Sequence, residues 1–340
     1  MNHPISIENL YLPEGQLLTQ PRNREFTSSL SHLEKAMHQG MILEAMALLC
    51  DGDMNLHIDF PALPGAVAII PPQEAVYTRD GAPVKDIAIL TRVGKSVCFK
   101  VVDIRQQNGV PHLTLSRRAA QAECVANYLT TLCPGDIIPA RVTHMESFGA
   151  FVDIGCGISS LLSVDTISVS RLSHPRDRLY NGQTIKAVIK SVETGADGLP
   201  GRIFISTREL LGTWEENAAR FTPGQTVAGI IRSVEDYGVF VELAPNLAGL
   251  AELKEDGRDD GERKAAVKTL IGHRATVFIK SILPERMKIK LVLIDTYAEE
   301  PASPPPLTYF LPKDGNTHLD RWVYSPKGAK KQIESVFEEK

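Results

Sequence analysis

Between Pro134 and Gly155 the chain alternates apolar and polar residues with a period of two. Ile138, Ala140 and Val142 share one parity, and Pro139, Arg141 and Thr143 the other. Beyond a turn at Phe148-Gly149, Val152 and Ile154 take the apolar parity while Phe151 and Asp153 take the opposite one. This period is what a half-buried strand requires, so the stretch predicts two antiparallel strands. The pattern returns from Pro223 to Leu243, with Val239, Val241 and Leu243 inward, Phe240 and Glu242 outward, and Tyr237-Gly238 at the turn. Each copy closes on a Gly-led strand, Gly182–Val188 and Gly272–Phe278. A fainter copy comes first: Leu56, Ile58 and Phe60 alternate with Asn55, His57 and Asp59, and Gly94–Val101 closes it. Gly94, Gly182 and Gly272 lie about 90 residues apart. That spacing suits a duplicated small domain rather than a solenoid repeat.

The outward parity of Phe151 and Phe240 is the informative departure. Folding alone gives no reason to place a benzyl ring on the wet face of a strand. A stacking surface for nucleic-acid bases does. Phe148 and Tyr237, beside the turn glycines, complete a pair in each copy; the competing reading for Phe148 is a lid over the barrel end. The first copy has Met54 and His57 in these places and lacks the pair. In the second copy the loop Ser168–Gly182 carries Arg171, Arg176 and Arg178 with His174 and several serines, a mixture suited to phosphate contacts. The alternative is a solvated loop whose arginines pair with Asp165 and Asp177. His174 has no carboxylate or cysteine at catalytic spacing and reads as structural or phosphate-contacting.

The stretches between copies have helical spacing. Ser28–Gln39 places Leu30, Leu33 and Met37 on one face, 117–131 places Ala119, Ala122, Val125 and Leu129, and Glu209–Phe221 places Leu210, Leu211, Trp214 and Ala218. Trp214 is expected to pack between domains. Met41–Leu49 fits a buried strand or a helix equally. Residues 1–27 read as a flexible arm, 63–93 as a loop-rich segment, and the charged run between Lys254 and Lys268 as an exposed loop. Prolines at 301 and 304–306 mark a linker, and the scattered apolar residues from Trp322 to Phe337 would allow a short helix. The expected division is 1–35 arm and short helix, 36–118 degenerate first copy, 132–208 second copy, 221–294 third copy, and 295–340 linker and tail.

A chain of 340 residues suits two or three domains. Its net charge of −4 argues against a non-specific polycationic coat on nucleic acid, though not against a stacking site with a local basic rim. The five scattered cysteines form no CxxC or Cys/His ligand spacing and fit small core residues in a reducing compartment. No apolar run approaches membrane-spanning length and no signal-peptide core is present, so the expected location is the cytoplasm, with no membrane partner. There is no phosphate-binding Gly loop ending in Lys-Ser/Thr, no G-x-S-x-G and no HExxH; Gly155-Cys156-Gly157 is a bare turn. No enzyme activity and no cofactor or metal is expected.

The run PGD…FGAFVDIG, the Gly-led strand and the closing GRIFIS resemble the S1 RNA-binding domain, well over 132–294 and weakly over 36–118. The resemblance implies a mainly β fold: three tandem five-stranded barrels of the oligonucleotide-binding type, joined by short helices, with flexible termini. It also implies site residues: two aromatics, a His after the third strand, and an Asp and an Arg near the last strands. In the second copy these fall on Phe148 and Phe151, with Ser163 in place of the His, Glu193 in place of the Asp, and Arg202 as the Arg. In the third they fall on Tyr237 and Phe240, with Glu252, Pro284 and Lys288 at the remaining positions. The implied function is binding of single-stranded RNA, including mRNA, in translation at the small ribosomal subunit, with the N-terminal repeat making the ribosomal contact. A protein-binding adaptor and a non-catalytic subunit of an RNA-processing enzyme remain compatible with the same residues.

Overall fold

A computed structural model describes residues 11–79, 81–195, 198–235, 237–252, 269, 271–297, 304, 307–312 and 315–337. The first ten residues of the arm, the charged run 254–268 and the prolines at 301, 305 and 306 lie outside the described residues.

Two short helices, α1 (Pro21–Phe26) and α2 (Leu30–His38), precede the first barrel. The Ser29 hydroxyl caps α2 by accepting from the His32 N–H. The barrel comprises β1 (Leu43–Cys50), β2 (Leu56–Asp59), β3 (Val67–Ile70), β4 (Ser96–Gln107) and β5 (Val110–Ser116), with the short helix α3 (Asp86–Leu90) between β3 and β4. The ambiguous run at Met41–Leu49 is thus a strand. Pairing with both β2 and β4, which local periodicity cannot report, decides it.

Helix α4 (Arg117–Asn127), followed by a turn of 3-10 helix to Thr131, leads into the second barrel. Its strands are β6 (Ile137–Glu146), β7 (Gly149–Asp153), β8 (Ser159–Ser163), β9 (Thr184–Thr194) and β10 (Pro200–Ser206), with α5 (Val164–Ile167) after β8. The helix expected over 209–221 is only α6 (Trp214–Ala218). Gly212, at φ +84°, interrupts the chain before Thr213 caps it. Trp214 joins the third core, with Trp322 and Tyr324. That barrel is built from β11 (Thr226–Glu235), β12 (Gly238–Ala244), β13 (Leu247–Glu252), β14 (Arg274–Leu283) and β15 (Lys288–Tyr297).

All three sheets close with one strand order, first-second-third-fifth-fourth, and in each the third and fifth strands run parallel. This is the five-stranded oligonucleotide-binding barrel three times over. The inward set is the one the alternation picks out: in the second barrel Ile138, Ala140, Val142, Val152 and Ile154 are at most 3% exposed. The Gly-led strands share a hydrogen bond as well as a pattern. The N–H groups of Gly94, Gly182 and Gly272 donate to the carbonyls of Ala47, Val142 and Ile231 at 2.8, 2.7 and 2.8 Å.

The described parts of both termini depart from the flexible ends expected. Residues 11–18 thread between the first two barrels. Tyr11 stacks on Tyr128 at 5.9 Å, and Glu44 of β1 accepts from the N–H groups of Gly15, Leu17 and Leu18. Glu14 is buried and receives Arg117 through two contacts, Nε at 2.6 Å and Nη2 at 3.0 Å, and the Cys98 N–H at 3.1 Å. At the other end, residues 307–312 and 315–319 run along the second barrel. Ile137 N–H donates to the Thr317 carbonyl at 2.7 Å, and Leu319 N–H donates to that of Gly135 at 2.9 Å. The segment from Trp322 to Phe337, where a helix is expected, forms instead a two-stranded ribbon, β16 (Arg321–Val323) with β17 (Glu334–Val336), whose Trp322 and Tyr324 pack into the third core. Its period-two pairing is too short to stand out from the sequence.

Asp153, outward by parity, is covered by this arm. It accepts from Glu14 N–H at 2.7 Å, Gly155 N–H at 2.8 Å and Gly157 N–H at 3.0 Å. Burial, with the nearby Glu14 charge, pushes its carboxyl up to about 7. Burial also raises Glu14, but the Arg117 charge and hydrogen bonds outweigh it and leave Glu14 below the usual carboxylate range. Because the folded state holds the Asp153 proton to a higher pH than the unfolded chain does, that contribution is present at low pH and lost as pH rises through about 7. Thermal unfolding across this range should therefore show the wild type losing stability relative to Asp153→Asn up to about pH 7 and a constant gap above it. Parallel curves for the two proteins would contradict this.

Candidate nucleic-acid interface

The outer face of the second barrel carries a row of side chains set by strand register. Phe151 on β7 lies opposite His144 on β6 and Leu161 on β8, and Leu161 lies opposite Phe204 on β10. The imidazole of His144 stacks on the Phe151 ring, 6.3 Å between centroids at 19°. Phe148 stands edge-on to the same ring, 6.1 Å away at 89°, and is 53% exposed. The three rings form an aromatic surface whose members fix one another's orientation.

The turn glycine is a steric requirement. A Cβ on Gly149 would lie 2.5 Å from the Leu162 carbonyl, and one on Gly238 would lie 2.5 Å from that of Ala251. Only glycine lets β7 and β12 approach their partners while the preceding aromatic projects outward. Ser163 lies directly opposite Gly149, at the foot of Phe148. Arg202 and Glu193 are both exposed, on the neighbouring strands β10 and β9; Arg202 shares its parity with Phe204.

The third barrel repeats the arrangement. Tyr237, 63% exposed, stands edge-on to Phe240 at 6.1 Å and 87°. Phe240 lies opposite Ser233 and Leu250, and Leu250 lies opposite Lys290. The row thus has Ser233 and Lys290 where the second barrel has His144 and Phe204. Lys288 is exposed at the start of β15, Glu252 is exposed at the end of β13, and Pro284 opens the turn between β14 and β15.

In the first barrel the equivalent position carries an imidazole held by a carboxylate. His57 lies opposite Leu49 and Ile69, and its Nε2 sits 2.9 Å from Asp51 Oδ2. Hydrogen bonds from His57 and Asn55 lower the Asp51 carboxyl to about 2. The imidazole is engaged by its own turn rather than presented to a ligand.

Residues 132–199 match the family described as "S1 RNA binding domain". The second barrel is an S1 domain. The chain is similar to the small ribosomal subunit protein bS1 of Leuconostoc lactis, 30% identical over 202 residues, covering 58% of this chain and 45% of that protein. It is also similar to bS1 of Staphylococcus haemolyticus, 31% identical over 216 residues, covering 61% and 52%. The chain spans about half the length of these curated relatives. Among solved structures, it aligns with a multidomain protein with nucleic acid binding domains from Streptococcus pneumoniae, 15% identical, with a TM-score of 0.22, covering 75% of this chain and 74% of that one.

The basic loop of the S1 domain divides in two. Arg171 and Arg176 are exposed. His174 instead caps a 3-10 turn, its Nδ1 accepting from the Arg176 N–H at 3.1 Å while Asp177 accepts from the His174 N–H at 3.3 Å. Arg178 turns inward to pair with Glu242 of the third barrel, and Arg232 shares that carboxylate and reaches Asp177 at 3.4 Å. The pairing of Arg178 with Asp165 or Asp177 allowed by the sequence is replaced by an interbarrel one. Among the described residues, no group of three or more His, Cys, Asp or Glu side chains is placed to hold a metal ion.

Sequence reasoning missed His144 and Phe204. Phe204 was readable from its parity with Arg202. His144 was not: strict alternation from Val142 sends it inward, but a bulge between Val142 and His144 turns it out to face Phe151.

Proposed function

We propose that this chain binds single-stranded RNA, mRNA included, through the aromatic faces of its second and third barrels, and that it serves translation at the small ribosomal subunit as a binding protein rather than an enzyme. The observation that carries the reading is the Phe148–Phe151 pair backed by His144 and repeated as Tyr237–Phe240. Aromatic stacking tolerates any base, as an mRNA-binding surface requires. Arg202, Arg171, Arg176, Lys288 and Lys290 supply charge for the backbone, while Ser163 and Glu193 line the same face as polar neighbours. His174 acts by holding its turn. The ribosomal assignment is supported by the relatives' printed names, and a cytoplasmic location belongs to the same reading. No helix among the described residues is long and apolar enough to cross a membrane.

The first barrel has a different part in this reading. Its surface exposes Leu48, Leu49, Ile87, Leu90 and Val93 instead of an aromatic pair, and we assign it to contact with the small subunit. In the full chain, His57→Ala should leave affinity for a single-stranded RNA oligonucleotide at the wild-type level, whereas Phe240→Ala weakens it. Leu49→Asp with Ile87→Asp should reduce co-sedimentation with purified small subunits without changing RNA affinity. A loss of RNA affinity in His57→Ala, or unchanged co-sedimentation in the double variant, would refute this division.

A further inference from the structure

The loop Ser168–Gly182 belongs to the second barrel by its place in the chain, between β8 and β9, yet it is fastened to the third. Near its start the Val169 N–H donates to Asn246 Oδ1, in the turn between β12 and β13, at 2.8 Å, and the Val169 side chain packs against the third core. Near its end Asp177 meets Arg232 of β11 twice, through its carbonyl at 3.3 Å and its carboxylate at 3.4 Å. Arg178 pairs with Glu242 of β12 and reaches the Pro245 carbonyl at 3.4 Å. Leu179, in the second core, and Gly182, hydrogen-bonded to Val142, then return the chain to its own barrel.

The place of attachment is informative. Glu242 follows Phe240 by two residues on the same face of β12, about 7 Å along the strand. A bare carboxylate there would repel the phosphates of a strand stacked on Phe240. Arg178 and Arg232 neutralise it and cover it, leaving Glu242 4% exposed. In the second barrel Asp153 follows Phe151 by the same interval, and there the N-terminal arm covers the acid. The arginine loop thus does on the third barrel what the arm does on the second.

The loop differs from the arm in bringing charge. Arg171 and Arg176 are exposed between the two fastenings, and among the described residues neither is in an ion pair. Arg178 and Arg232 cancel Glu242 and Asp177, so Arg171 and Arg176 are the charge left over. The third barrel's own cation in this row, Lys290, lies to one side of Phe240, beyond Leu250. On the other side, toward β11, the row has Ser233, and Arg232 of β11 is where the loop is held. Cations on both sides of a stacking ring suit a backbone that passes over it.

We propose that the loop Ser168–Gly182 is part of the RNA site of the third barrel, Arg171 and Arg176 taking phosphates of a strand whose base stacks on Phe240, with the Arg178–Glu242 and Asp177–Arg232 pairs fixing the loop there. The inference rests on the RNA-binding reading above and makes the third face a site built by two barrels.

The test uses the full chain and a labelled single-stranded RNA of about six nucleotides, within the span of one such barrel. Phe151→Ala leaves the third face as the main site, and Phe240→Ala leaves the second. In Phe151→Ala, adding Arg171→Ala with Arg176→Ala should lower the dependence of log K on log salt by about 1.4, the share of two single-strand phosphates, a loss of roughly 25-fold at 0.1 M salt measured against 1 M. In Phe240→Ala the same pair of changes should leave both affinity and slope unaltered. Arg171→Lys with Arg176→Lys keeps the charge and should restore the slope. A loss confined to Phe240→Ala would assign the loop to its own barrel and overturn the proposal. Equal losses in both backgrounds, no loss in either, or lysines as weak as alanines would overturn it too, and in each of these cases the RNA-binding reading stands on the stacking rings. Failure of the wild type to bind RNA removes both.

Discussion

Replacing Phe151 with alanine should cost about 1–3 kcal/mol of RNA-binding free energy, the range for one stacked base. The expectation follows from the position of the ring. Phe151 is touched by His144 on one side and by the edge of Phe148 on the other, so it is the central member of the second barrel's aromatic group. Removing it takes away a stacking surface and leaves the two flanking rings without their common neighbour. His144→Ala should cost less, because it removes a support and keeps the ring. Arg202→Ala acts by another route: it should lower the dependence of log K on log salt by about 0.7, the share of one single-strand phosphate. Fluorescence titration of a labelled oligonucleotide at several salt concentrations separates these effects. Wild-type affinity in Phe151→Ala would dispose of the stacking face.

The largest effect on stability is expected at Arg117. Its guanidinium is 3% exposed and meets the buried Glu14 carboxylate through two nitrogens. Arg117→Met strands that carboxylate in the interior with only the Cys98 N–H and a longer contact to Arg92 at 3.5 Å. Breaking a buried pair from one side costs about 3–5 kcal/mol. Replacing both partners is far milder, since neither charge is then left behind. Urea unfolding should therefore rank wild type and the Glu14→Met, Arg117→Met double variant close together, with each single variant well below. Additive losses in the double variant would show that the pair is not acting as a unit.

The barrels were legible because a half-buried strand writes its face into the chain at every second residue. Val152 and Ile154 against Phe151 is enough to find β7, and the 90-residue echo finds its counterparts. The aromatic pairs were legible for the same reason, as breaches of that alternation. The clamps at both ends were not. Glu14 meets Arg117 across 103 positions and His318 meets Asp136 across 182, and no local pattern encodes such partners. The inward turn of Arg178 was hidden too. In sequence it is one arginine among three, and only the approach of Glu242 from the next barrel sets it apart.

The C-terminal segment has a bearing on how length is read in a bound strand. Its backbone hydrogen-bonds to the second barrel at Ile137 and Gly135, and its ribbon is built into the core of the third. The two aromatic faces are thus carried on one body, and their separation is fixed before RNA arrives. Once a strand engages one face, its effective concentration at the other depends on the nucleotides between them and not on the swing of a tether. Avidity should then set in abruptly at the oligonucleotide length that first bridges the gap, and every shorter strand should bind as though only one face existed.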